Sequence, residues 1–171
     1  WIKGVQEFPK KWFEFISKYK KYIQDYEIYE SVDMIHYPMK FLVDKPEINE
    51  LVIGREKEVA YDELDYEILK VVTENGQTPI TEIAKKIKLT PKAALYRLRK
   101  LEKKKIILGY YALVDETKLG YVFYKVDFYL NDMARLKEMN EYAKQHKNVV
   151  YRMRTIGGPD FEIEVIVKDV I

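Results

Sequence analysis

The chain has no cysteine. That excludes disulfides and thiolate metal sites, and it makes a reducing cytoplasm the expected setting. No apolar run comes near the ~18 residues that a membrane span needs, and no signal peptide opens the chain, so neither a membrane partner nor secretion is expected. Histidine is scarce: His36 and His146 are the only two. Neither has a second histidine or a carboxylate at helical ligand spacing, so no metal site is expected. Seven glycines are present, and no nucleophile-elbow, zinc-protease or phosphate-cradling pattern occurs among the residues. An enzyme with a bound cofactor is therefore not the expected class. The fifteen tyrosines fall mostly on strands and helix seams and form no regular stacking platform, which argues against single-stranded DNA or RNA as the ligand.

What the chain does have is a local excess of positive charge. Overall the balance is only +2, yet Lys85 to Lys105 holds ten Lys or Arg and one acid, Glu102, while the rest of the chain is net negative. The same block reads as two short amphipathic helices with a break at Lys88-Leu89-Thr90, the second starting at Thr90-Pro91, a capping hydroxyl followed by proline at the first helical position. A solvated helix face usually mixes both signs; acids are nearly absent here, where a polyanion would sit. The pattern implies a helix-turn-helix that meets duplex DNA.

With 47% hydrophobic residues over 171 positions, one or two small domains are expected. Residues 9–23 read as a helix with Trp12, Phe15, Ile16, Tyr19, Tyr22 and Ile23 on one stripe. Residues 26–37 are rich in strand formers, and 39–43 suit a further short strand. Residues 44–63 form an acidic linker. A helix over 64–74 turns Leu64, Ile68, Leu69 and Val72 inward and ends at Asn75-Gly76, with the glycine suited to a left-handed position. Thr78 or Thr81 caps the next helix. Ile106 to Val114 reads as a wing. Tyr121 to Leu130 alternates, with Val122, Tyr124, Val126, Phe128 and Leu130 on one face. Then come a helix over 132–146, a strand over 149–156, a turn at Gly157-Gly158-Pro159 and a strand over 161–167.

On the third helix Leu95, Leu98 and Leu101 are spaced to face the core. The opposite face then carries Lys92, Ala93, Tyr96, Arg97 and Lys100. Lysine and arginine neutralise phosphates, and Arg97 is placed to fork onto a guanine edge. Ala93 is small enough for close approach or for a thymine methyl. Tyr96 suits a phosphate or a sugar. Thr90 sits where helix N–H groups attract phosphate. Lys103 and Lys104 suit the backbone beside the wing, and Arg99 has even standing as plain solvated charge. Arg152 and Arg154 alternate on one strand face, where they can hold a carboxylate or pair with Glu162 and Glu164 across the sheet.

The runs Leu64-Asp-Tyr-Glu-Ile-Leu69, Thr81-Glu-Ile-Ala-Lys-Lys86, Leu95-Tyr-Arg-Leu-Arg-Lys-Leu-Glu102 and Ile106-Ile-Leu-Gly-Tyr110 resemble the Lrp/AsnC transcription regulators. The resemblance continues through strand, helix, strand, turn and strand to Ile171, with Ile156-Gly-Gly-Pro-Asp-Phe161 standing where the family has Thr-Gly-x-Tyr-Asp. It implies an α+β protein: a winged helix-turn-helix over 64–114 and the N-terminal part of a RAM-like βαββαβ sandwich over 120–171. It also implies a homodimer or higher homo-oligomer on double-stranded DNA, and an amino-acid or other small-molecule effector near Gly157, Gly158 and Asp160. Val167-Lys-Asp-Val-Ile171 is similar to Ile2-Lys-Gly-Val-Gln6, and residues 1–43 run helix then strand, like the C-terminal part of a RAM-like domain. Both ends look like cuts, as in a piece of a tandem-module, archaeal-type member whose head and tail sum to one sandwich. The alternatives are a tetrapyrrole decarboxylase of the same fold and an assembly or effector-sensing protein that no longer reads DNA.

Overall fold

The computed structural model describes residues 7–43, 50–54 and 58–168; the repeated ends at 2–6 and 169–171, and much of the linker at 44–49 and 55–57, lie outside them. Two cores organise the molecule. The first is helical. Helix α2 (Glu63–Glu74) starts at Asp62, whose side chain accepts from the Asp65 amide at 2.9 Å while Asp65 returns the bond to the Asp62 amide at 3.3 Å. This capping box satisfies two amides that the first turn leaves open. Helices α3 (Ile80–Lys86) and α4 (Pro91–Lys103) follow, joined through Lys88 at φ 56°. Ile68, Val71, Ile83, Ala84, Ile87, Ala94 and Leu101 close the core.

Several expectations need correction. Gly76 is not left-handed; it is needed because a Cβ there would lie 2.8 Å from the Tyr110 ring. Helix α3 is preceded by Pro79 with no side-chain cap, and Thr78 instead donates to the Asn75 carbonyl at 2.7 Å. On α4 the core seam is Ala94, Leu98 and Leu101, and Leu95 stands outside the cluster. Residues three apart lag by about 60° per step, so Leu95 and Leu101 diverge, while steps of four and three stay on one side. No hairpin forms over 106–114 among the described residues; Ile106 and Ile107 pack into the helical core instead.

The second core lies against a five-stranded antiparallel sheet of order β2-β1-β4-β5-β3. Its strands are β1 (Glu30–His36), β2 (Leu51–Ile53), β3 (Tyr121–Phe128), β4 (Val149–Ile156) and β5 (Phe161–Lys168). Strands from before and after the helix-turn-helix therefore share one sheet, with the helix-turn-helix inserted between β2 and β3. Strand β1 lies between the edge strand β2 and β4, pairing Met34 with Met153 and His36 with Tyr151. Helix α5 (Leu136–Gln145) covers one face through Leu136, Met139 and Ala143, over Val149, Phe161, Ile163 and Val165. It starts later than the composition suggests, because Asp132 closes a turn onto the Ala134 amide at 2.9 Å. Residues 39–43 are not a strand: Lys40–Leu42 form one 3-10 turn, with the buried Lys40 amine bonded to the Lys144 carbonyl. Helix α1 (Glu7–Tyr19) packs its aromatic stripe on itself, Phe8 on Trp12, Trp12 on Phe15 and Phe15 on Tyr19, and buries no residue in either core. The chain thus has the α+β fold, helix-turn-helix plus RAM-like sheet, that the sequence implies.

Candidate nucleic-acid interface

The surface of α4 follows from where its apolar residues go. With Ala94, Leu98 and Leu101 turned inward, helical spacing throws Lys92, Tyr96, Arg99, Lys100 and Lys103 outward, and all five are exposed. Tyr96 is 70% exposed. Lys92, Tyr96, Arg99 and Lys103 follow at steps of four, three and four, which makes one line along the helix. None of the four cations has an ion-pair or hydrogen-bond partner among the described residues. Thr90 caps the N-terminus, its hydroxyl accepting from the Ala93 amide at 3.3 Å, with Pro91 in the first turn. That end carries the positive pole of the helix, which favours a phosphate. Ala93 is half-buried beside it.

Arg97 does not stand free on this face. Its Nη1 donates to Asp62 Oδ1 and Oδ2 at 2.9 and 2.8 Å and to Asp65 Oδ1 at 2.7 Å. The two acids hold the guanidinium pKa above its ordinary value, Asp62 first. Arg97 in turn, with the Asp65 amide second, holds the Asp62 carboxyl below its usual range. Lys104 is also engaged, donating to the Ala60 carbonyl at 2.7 Å. Of the expected DNA residues, the structure therefore brings Lys92, Tyr96, Lys100 and Lys103 onto one open surface and turns Arg97 and Lys104 to the segment that enters α2. Arg99, which composition alone leaves with even standing as solvated charge, lies on the same open line, one step of three from Tyr96 and one of four from Lys103.

The turn suspected of effector binding looks different. Gly157 has φ +81° and Gly158 lies under the Tyr29 ring, so close that a Cβ would come within 2.8 Å of it. Asp160 is a structural bracket: its carboxylate accepts from the Leu130 amide at 2.8 Å and its amide donates to the Phe128 carbonyl. Arg152 and Arg154 do not pair with Glu162 and Glu164. The register shifts between Val149 and Tyr151, so Arg152 faces Ile163 and Met153 faces Glu162. That puts the arginines on the α5 side, where Asp33 of β1 takes both, at 3.0 and 2.6 Å. Glu162 pairs with Lys125 at 3.2 Å on the other face. A cavity of about 100 Å³ lies between Asn140, Arg154 and Asp160.

Neither histidine has metal-ligand company: no group of three or more such side chains is found among the described residues. His36 stacks on Tyr151 at 4.6 Å, and His146 Nδ1 accepts from the Asn148 amide at 3.3 Å.

Residues 61–107 match a family described as winged helix-turn-helix DNA-binding. Over 59 residues the chain is 44% identical to an HTH-type transcriptional regulator of Pyrococcus furiosus, covering 34% of this chain and 38% of that one. Over 88 residues it is 35% identical to the HTH-type transcriptional regulator LrpA of Pyrococcus horikoshii, covering 52% of this chain and 62% of that one. The fold is shared with the solved structure of AsnC from E. coli, at a TM-score of 0.58 and 22% identity over 65% of this chain and 75% of that one. The chain spans less than two thirds of the length of the two regulators from Pyrococcus.

Proposed function

We propose a function from the premise that this chain is a winged helix-turn-helix protein of the Lrp/AsnC type: it binds double-stranded DNA sequence-specifically and regulates transcription. The observation that carries this reading is the line of cations around Tyr96 on α4, without partners among the described residues, convex and clear of both cores. Such a helix fits the major groove, with lysines on phosphates and the middle of the helix on base edges. The sheet serves assembly. Two copies acting as a dimer would place their α4 helices about 34 Å apart, one turn of the duplex. The relatives named above are regulators, and we propose no reaction for this chain. No helix among the described residues is long and apolar enough to cross a membrane; we place the protein in the cytoplasm.

The test is binding to a random-sequence duplex across a salt series, followed by selection of bound duplexes from a random pool. The affinity is expected to fall steeply with salt, and Lys103→Ala to weaken all duplexes alike while lowering the slope by about one. Salt-independent binding, or none, would remove the reading.

For an amino-acid effector we place the carboxylate beside Arg154 and the ammonium beside Asp160, in the cavity of about 100 Å³. A panel of amino acids tested by thermal shift decides this: no shift from any of them ends the effector proposal and leaves the DNA reading untouched.

A further inference from the structure

Two arginines on α4, two residues apart, are held in opposite ways, and this inference rests on the DNA-binding reading above. We propose that Arg97 is a positioning residue that fixes the roll of α4, and that Arg99, next to Tyr96, is the side chain that reads a guanine-containing step. Arg97 cannot leave its partners cheaply. Asp65 has a side chain only 4% exposed, and withdrawing its arginine would strand a buried carboxylate. Both acids belong to the capping box at the start of α2, so the contact clamps the middle of one helix to the first turn of another. Rolling α4 would break it. Arg99 has none of these ties: it is exposed and has no partner among the described residues. Its planar fork matches the two acceptors of guanine in the major groove. The line it belongs to also has the right order. Lys92 and Lys103 stand at its ends, about 16 Å apart by helical rise, far enough to reach the phosphate rims of a groove about 12 Å wide. Tyr96 and Arg99 stand between them, over the groove floor.

The experiment uses the 171-residue chain with Arg99→Ala, Arg97→Lys and Asp62→Asn. Asparagine still caps a helix, so the last variant removes charge without removing the cap, and circular dichroism checks that each variant is folded. Each is titrated against a duplex selected by the unsubstituted chain and against a random duplex, over a salt series. Arg99→Ala is expected to cut the ratio of selected to random affinity by about ten- to a hundredfold. Asp62→Asn and Arg97→Lys are expected to weaken the selected duplex several-fold while leaving the salt slope unchanged. If Asp62→Asn instead tightens binding, freeing Arg97 for the DNA, and Arg99→Ala leaves the ratio intact, the assignment is overturned and Arg97 is the reader. If the unsubstituted chain binds neither duplex, the DNA reading itself has failed and this inference goes with it.

Discussion

Asp33 accepts a hydrogen bond from Arg152 Nη1 at 3.0 Å, between residues 119 apart in sequence. Its second oxygen takes Arg154 at 2.6 Å. The aspartate is buried on β1 and both arginines sit on β4, so one carboxylate from the N-terminal segment pairs with two guanidinium groups in the C-terminal sheet. Breaking a buried ion pair by removing one member typically costs about 3–5 kcal/mol. Asp33→Ala is expected to lower the urea midpoint by a corresponding amount with the slope of the transition retained. A loss under about 1 kcal/mol, the range of an exposed pair, would mean that β1 is not seated on β4.

The roll of α4 gives a second prediction. Leu101 is buried within the helical core, whereas Leu95 stands half-buried outside it. Leu101→Ala is expected to cost about 2–5 kcal/mol, and Leu95→Ala about 1 kcal/mol or less, since little of its surface returns to water. Equal losses would put Leu95 back in the core and rotate the exposed line away from Arg99.

These two pairs show which parts of the molecule can be read in the sequence. The helix-turn-helix is legible because several local signals agree: the Thr90-Pro91 cap, the periodic apolar residues and the one-sided charge. The strands at 121–128 and 161–168 are legible because apolar β-formers recur at every second residue along each of them. The roll of α4 is not, because Ala94 is too small to mark a core position and Leu95 imitates one. The partner of Arg152 is not, because the irregularity at Val150 exchanges faces and the answering acid lies far away in the chain. Residues 106–114 read as a wing because isoleucines and aromatics suit a strand; Ile106 and Ile107 are claimed by the helical core and Tyr110 lies against Gly76. The hold of Asp62 and Asp65 on Arg97 is likewise a tertiary fact, invisible to spacing within one helix.

Gly158 offers a steric test of how residues 26–29 lie on the sheet. A Cβ at this position would come within 2.8 Å of Tyr29 Cγ and 2.9 Å of Cδ1. Those atoms are close to the Tyr29 backbone and have little room to swing away. Gly158→Ala is therefore expected to destabilise by about 1–3 kcal/mol, the range of overpacking. In a Tyr29→Ala background the same change should cost less, giving a coupling of about 1 kcal/mol in a double-mutant cycle. Strict additivity would mean that Tyr29 does not cover the turn.

His36 links stability to pH through its place between Tyr151 and Tyr111, with ring centroids at 4.6 and 5.3 Å. Burial lowers its pKa below the ordinary 6.5. Above that value the imidazole is neutral in both states and contributes no pH dependence. As pH falls below it, the unfolded chain takes up the proton first, so stability is lost until the folded pKa is reached; in that window stability rises with pH. Glu164 acts in the opposite sense. Burial first, and Glu162 second, raise its pKa, so it favours the folded state as pH falls into the carboxylate range. The wild-type curve mixes the two, and the variant separates them. His36→Phe keeps an aromatic ring against Tyr151 and cannot titrate. It is expected to lose less of its thermal midpoint than the unsubstituted chain when the pH is taken from about 7.5 to about 5.5, a window that spans the ordinary histidine pKa. Identical losses would show that the ring titrates as freely as in the unfolded chain, and that the contact with Tyr111, where the segment leaving the helical core meets the sheet, does not keep it dry.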